Sequence, residues 1–290
     1  LPITQFYDLA IDRLQPSRRF GGTQDNGTVR TRTGAPSEWQ NILGGDGLHC
    51  EVDYTNSSIV YAESQYGEIY RSTNGGNSFV RTMIGLDANE RRNWSVPITL
   101  DPVMPATLYL GYQRVWRSTD AAGFWQPISP DLTGDPGASA TAFRGLDLSR
   151  RLDLAGDDHL MNLITGTITA VSVSPVDNRI LWAGTDDGNV WVSADAGTTW
   201  TRVNPPGPAH WVTDFACDPF DARAAWLTVT GYRRGDRVPY VRVTTDLGST
   251  WLDLGGSLPQ VPVNSVAADP EWRGRLFAGS DLGAHLSDDG

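Results

Sequence analysis

"SADAGTTW", Ser193 to Trp200, is the stretch whose reading decides the fold. A carboxylate among small residues, followed by a glycine and a tryptophan, could belong to a sugar-cleaving site or could fasten a turn. The chain answers by repetition. "STNGGNSF" covers Ser72 to Phe79, "STDAAGFW" covers Ser118 to Trp125 and "TTDLGSTW" covers Thr244 to Trp251. "LSDDG" at Leu286 to Gly290 begins another copy, and a worn one, "TRTGAPSEW", ends at Trp39. An enzyme needs one site, whereas a repeat architecture needs one fastener per unit. Asp120, Asp195, Asp246 and Asp288 therefore read as fasteners, with Asn74 in the same place in its copy. The hydroxyls of Ser72, Ser118 and Ser193 add bonds inside the turn. Gly76, Gly197 and Gly248 tolerate positive φ there. Trp125, Trp200 and Trp251 each bury a ring against the neighbouring sheet.

The repeat extends upstream of every box. "SSIVYAESQYGEIYRS", "ATLYLGYQRVWRS", "RILWAGTDDGNVWVS" and "GRLFAGSDLGAHLS" share one plan, preceded by "CEVDYTN", "PITLDPVMP", "VSVSPVDN" and "VAADPEW". Each unit reads as strand, Asp/Pro turn, strand, short turn, strand, box, strand. Alternating apolar residues and Val, Ile, Tyr and Trp enrichment support the strands. No segment has a helical period. Four strands repeating at about 40–50 residues indicate an all-β fold, a β-propeller of about six visible blades with the last one incomplete. The blades are expected at about 1–43, 44–86, 87–129, 167–207, 208–258 and 259–290, with an insertion at 130–166, all in one domain. Either the opening "LPITQFY" helps to close the ring or the missing strand lies beyond Gly290. The start at Leu1 and the stop after "SDDG" lead us to expect a piece of a longer polypeptide, joined to the remainder of its parent.

Composition narrows the function. The 290 residues carry a net charge of −11, so nucleic acid and an anionic membrane surface are not expected partners. All 23 basic residues are arginine, and 28 of the 34 acidic residues are aspartate, which suits tight turns. Cys50 and Cys217 sit in strand-like runs and read as buried free thiols. No apolar run is long enough to span a bilayer. No Cys/His spacing resembles a metal site. No cofactor is expected; "AGDDH" at Ala155 to His159 offers at most a calcium ion.

The pattern Ser-x-Asp-x-Gly-x-Thr-Trp resembles the Asp box of the bacterial neuraminidase repeat proteins. That family includes sialidases, xyloglucan-hydrolysing propellers, the sortilin-type receptor domain and the plant photosystem II assembly factor. "GGTQDNGT", "GGDGLHCEVD", "NWSVPITLDP" and "GTDDGNVWVS" look most like the sortilin-like group of large exported bacterial proteins. The resemblance implies a non-catalytic binding or scaffolding propeller, outside the cell or in the periplasm, that takes a protein or a glycan at its channel mouth. The alternative it implies is a glycoside hydrolase acting on a β-glucan or xyloglucan. Xyloglucan-hydrolysing propellers carry a catalytic aspartate in an Arg-Thr-Asp-x-Gly-Gly turn. Asp186, Asp281 and Asp25 occupy equivalent turns here, without the arginine or the second glycine. A sialidase is not expected, because the Arg-Ile-Pro motif is missing.

Propeller geometry sorts the loops. Turns between second and third strands, and loops joining blades, face the mouth, and loops on a rigid scaffold carry function. The catalytic candidates are Asp25, Asp46, Asp186 and Asp281. The ligand-binding candidates are Tyr66, Asp187 and Tyr232 from the turns, and His49, Arg91, Arg92, Trp94, His210 and Trp211 from the joining loops. The insertion would add Arg144, Arg150, Arg151, Asp157, Asp158 and His159 over the mouth. Carboxylates beside stacking aromatics suit a carbohydrate or a peptide.

Overall fold

A computed structural model describes residues 4–134 and 166–289. The insertion residues at 135–165, with their arginines, aspartates and His159, lie outside the described residues. Six antiparallel sheets follow one another along the chain as β-propeller blades. The first holds β1 (Asp8–Ile11), β2 (Arg19–Thr23), β3 (Gly27–Thr31) and β4 (Gln40–Leu43). The second holds β5 (Gly47–Val52), β6 (Val60–Ser64), β7 (Glu68–Ser72) and β8 (Val80–Arg81). The third holds β9 (Ile98–Leu100), β10 (Leu108–Gly111), β11 (Val115–Ser118) and β12 (Gln126–Pro127). The fourth holds β13 (Ile168–Val173), β14 (Leu181–Thr185), β15 (Val190–Ser193) and β16 (Thr201–Arg202). The fifth holds β17 (Trp211–Cys217), β18 (Ala225–Thr230), β19 (Tyr240–Thr244) and β20 (Leu252–Asp253). The last holds three strands, β21 (Val263–Ala268), β22 (Leu276–Ser280) and β23 (Gly283–Ser287). Strands pair in sequence order, so every connection within a sheet is a hairpin.

The chain divides into two compact units. One is Leu1–Tyr112 with Trp116–Pro127, and the other is Gln113–Val115 with Ile128–Gly290. The core of the first unit joins Tyr61, Ile69, Leu108, Leu110, Tyr112, Trp116 and Trp125. That of the second joins Trp182, Val190, Val212, Phe215 and Leu227. The second strands "VYAES", "LYLG" and "LWAGT" are buried on both faces, because each blade is covered on either side. Approach is close enough that a Cβ on Gly22 would lie 1.9 Å from the Leu48 carbonyl of the next sheet.

The boxes are closed by one repeated network. Ser193 Oγ donates to Asp195 Oδ1 at 2.9 Å and accepts the Gly197 N–H at 2.9 Å. Asp195 then accepts the Thr199 N–H at 2.8 Å and its hydroxyl at 2.7 Å. Thr244, Asp246, Gly248 and Thr250 repeat the same bonds, and Ser118 with Asp120 accepts the N–H groups of Ala122 and Phe124. Asn74 does the work of the aspartate beside Ser72, accepting the Ser78 N–H at 2.9 Å. Backbone N–H donors hold the Asp120, Asp195 and Asp246 carboxyls below the usual range. Each box bends through two successive residues at positive φ: Gly75–Gly76, Ala121–Ala122, Ala196–Gly197 and Leu247–Gly248. The third sheet thus keeps the turn with an alanine where the others have glycine. In the last sheet the fastener is not Asp288, as the sequence suggested, but Asp289: Ser287 donates to Asp289, while the Asp288 side chain pairs with Arg275.

The indoles connect consecutive blades. Trp125 donates its N–H to the Thr82 carbonyl at 2.9 Å, Trp200 to Ile128 at 3.0 Å and Trp251 to Val203 at 2.9 Å. Each acceptor follows or closes the outermost strand of the preceding blade. A second repeated device sits in the turns between first and second strands. Asp12, Asp53, Asp101, Asp218 and Asp269 each accept the backbone N–H groups two and three residues on, and Ser174 does so in the fourth sheet. Both thiols are free; Cys50 is buried and Cys217 half-buried, its Sγ 3.3 Å from Ser172 Oγ.

Trp125 is fully buried. Trp125→Phe removes the donor from the Thr82 carbonyl and leaves a gap behind the ring, so urea denaturation should show a loss of about 2–3 kcal/mol with an unchanged m-value.

Candidate ligand-binding face

Within each blade the β2–β3-type turns and the blade-joining loops share one end, and the boxes take the other. In the first unit, Asp25 lies in the β2–β3 turn with φ of 64°. Its backbone N–H donates to Asp46 Oδ1 at 2.5 Å, and Gln65 Nε2 donates to Asp46 Oδ2 at 3.0 Å. The structure thus brings Asp25 and Asp46 together, with Asp46 serving the backbone of its neighbour. Asp25 lines a cavity of about 610 Å³ with Thr4, Phe6, Asn26, Trp39 and Asn41. The Phe6 and Trp39 rings pack at 5.1 Å. Asp25 is the one carboxylate in that lining.

Tyr66, Trp94 and Arg92 form a second group in this unit. The Tyr66 and Trp94 rings meet edge to face at 5.1 Å, and the Tyr66 N–H donates to the Trp94 carbonyl at 3.0 Å. Arg92 lies 5.2 Å from the centre of the Tyr112 ring, 4.0 Å from Glu68, and donates to the Ala88 carbonyl. Arg91, beside it, is half-buried. Arg92 also donates to the Tyr66 carbonyl at 3.4 Å.

His49 stands elsewhere than the sequence suggested. It is inside β5, not in a joining loop, and its Nδ1 is 3.5 Å from Asp8 Oδ2. Around it lie Glu51, Glu63 and Cys50. Glu63 is fully buried and accepts the N–H groups of His49 and Val96. Burial raises Glu51 and Glu63 to about 8, and Asp8 with the two glutamates raises His49 to about 9 against the cost of its own burial. Asp8, Glu51 and Glu63 went unremarked in the sequence. The available signal was a charged residue inside each of the apolar runs "LHCEVDY" and "VYAESQY".

In the second unit, Asp186 is 8% exposed and points inward. It accepts the Gly166 N–H, the Thr167 N–H and the Thr167 hydroxyl at 2.8, 3.1 and 2.7 Å. Desolvation raises its carboxyl, against those three donors. Asp187 accepts the Asn189 side chain, the Thr185 hydroxyl and the Gly134 N–H. Asp281 accepts Asn264 Nδ2 at 3.3 Å. His210 is 7% exposed, with Nε2 2.9 Å from Asp236 Oδ2. Trp211, the first residue of β17, lies under the Arg233 guanidinium at 4.3 Å. Tyr232 stands out at 69% exposure in the β18–β19 loop. The sequence reading passed over Asp236, Arg234 and Arg237 in that loop. Among the described residues no group of three or more His, Cys, Asp or Glu side chains is arranged to hold a metal ion. No helix among them is long and apolar enough to cross a membrane.

No family model and no curated protein matches the sequence. Solved structures do match. A GH74 enzyme of Niastella koreensis superposes with a TM-score of 0.69 at 16% identity, over 98% of this chain and 45% of that one. The GH74 xyloglucanase of Xanthomonas campestris gives 0.67 at 16% identity, over 99% of this chain and 44% of that one. YCF48 bound to D1 peptide gives 0.60 at 13% identity, over 98% of this chain and 77% of that one. At such identities the likeness is one of fold. The chain spans less than half the length of the two GH74 enzymes.

The buried acids and His49 set a pH dependence. A group whose folded pKa is raised stabilises the protein fully below its unfolded value and loses that contribution as pH rises through the folded one. Glu51 and Glu63 act from about 4.5 to about 8, and His49 from about 6.5 to about 9. The melting temperature should therefore fall steadily from pH 5 to pH 9, and Glu51→Gln should flatten that fall between pH 5 and 8.

Proposed function

We propose that this chain is a non-catalytic ligand-binding propeller of an exported protein, and that the Phe6–Trp39 cavity of its first unit takes a glycan or a peptide. The observation that carries the reading is the lining of that cavity. An aromatic pair sits beside the Asn26 and Asn41 amides, the Thr4 hydroxyl and a single carboxylate, Asp25. Stacking surfaces with a few polar groups fit a sugar ring or a peptide turn. Glycoside hydrolysis needs two carboxylates flanking the bond, about 5–10 Å apart and open to substrate. Asp46 is turned to the Asp25 N–H and Gln65, while Asp186 and Asp187 are each taken up by neighbouring donors. The Asp-box pattern and the sortilin-like resemblance support export and binding. Of the structural neighbours, one is named for xyloglucan hydrolysis and another is bound to a peptide, so both ligand classes enter the test.

The test pairs turnover with binding. Xyloglucan and mixed-linkage β-glucan incubated with the full chain should release no reducing ends. Glycan and peptide arrays should show retention that Trp39→Ala weakens roughly tenfold, a loss of about 1.4 kcal/mol. Hydrolysis abolished by Asp25→Asn or Asp186→Asn would overturn the reading in favour of an enzyme.

A further inference from the structure

A different surface, in the second unit, is built for a partner of opposite charge. The β18–β19 loop reads "TGYRRGDRVPY", Thr230 to Tyr240, and sets three arginines within five residues of a chain whose net charge is −11. Arg233, Arg234 and Arg237 are all exposed. The one acid in the loop, Asp236, makes its bonds elsewhere. Its Oδ2 meets His210 Nε2 at 2.9 Å and the Tyr240 hydroxyl at 2.7 Å, and its Oδ1 accepts the Val238 N–H at 2.9 Å. Those bonds hold its carboxyl at about 2, so it is fully ionised and fully engaged. Neither Arg234 nor Arg237 pairs with any described residue, and the Arg233 guanidinium lies over the Trp211 ring.

The loop is also tied at its base by backbone hydrogen bonds. Arg234 and Asp236 both donate N–H bonds to the Gly231 carbonyl, and Gly235, at φ of 74°, donates to Tyr232. His210, more than nine-tenths buried, packs so tightly that a Cβ on Gly231 would lie 2.8 Å from its ring. Ordering cost is thus met before any partner arrives, which favours binding. We infer that this loop is a docking site for a short acidic polypeptide segment, with the Arg234 and Arg237 guanidinium forks taking Asp or Glu carboxylates and Tyr232 covering an apolar residue beside them. Guanidinium geometry matches carboxylates in bidentate fashion. The negative charge of the rest of the chain opposes a long polyanion such as nucleic acid, whereas a segment of a few residues meets only the loop.

The test is fluorescence anisotropy of the full chain with a labelled twelve-residue peptide that alternates Glu with Leu and Ala. Its Gln-for-Glu counterpart, an oligogalacturonate and a single-stranded oligonucleotide serve as competitors. Binding of the Glu peptide should weaken at least tenfold in Arg234→Gln/Arg237→Gln and should fall with salt, with melting temperature unchanged. His210→Asn, which keeps all three arginines, should weaken binding by loosening the loop, and circular dichroism reports whether that variant stays folded. Equal affinity for the Gln counterpart, or for the double variant, would overturn the proposal. So would tighter binding of the galacturonate or the oligonucleotide. The reducing-end assay and Trp39→Ala address another site, so failure there leaves this result readable on its own.

Discussion

The packing of one blade on the next depends, at three successive junctions, on an indole N–H reaching a carbonyl at the edge of the preceding blade. Trp125, Trp200 and Trp251 make that bond at 2.9–3.0 Å, and each is aimed by the box in which it ends. A two-residue outermost strand such as Gln126–Pro127 or Thr201–Arg202 is too short to secure a blade by its ladder alone. The box supplies the missing constraint. Its hydroxyl, carboxylate and two left-handed residues fix the chain so that the ring enters the neighbouring core at one angle.

This division of labour explains the composition. Aspartate is abundant because two different turns that recur from blade to blade use it. Box aspartates accept from donors three or four residues on, and those between first and second strands accept from donors two and three residues on. A short carboxylate reaches these N–H groups, and a longer glutamate overshoots them. These aspartates are thereby removed from the list of catalytic groups. The few that remain unusual are the glutamates inside strands, where a longer side chain reaches across to the next blade, as Glu63 does to the Val96 N–H.

The opposite ends of the blades are freer, and there the two units differ. The first presents aromatic rings with amides and one carboxylate. The second presents a loop of arginines held by hydrogen bonds from Asp236 to the buried His210 and to Tyr240. A rigid scaffold with variable loops accommodates both without change to its core.

The sequence by itself determined the strand pattern, the all-β propeller class and the repeated boxes. It could do so because each of these follows from local chemistry: period-two alternation, a hydroxyl two residues before a carboxylate, a turn that tolerates positive φ. Even the exception in the third box, with Ala122 in a glycine's place, was visible as a departure from the repeat. Tertiary structure alone decided which carboxylates were engaged. Asp186 and Asp281 look alike in their turns, yet one is buried under three donors from residues about twenty positions away and the other meets a single amide at the surface. It also decided that His49 sits within a strand beside Asp8, forty-one residues distant in the chain, and that Asp236 faces inward and leaves its arginines outside. Burial and long-range pairing set the charge and availability of a side chain, and neither is written in the residues next to it.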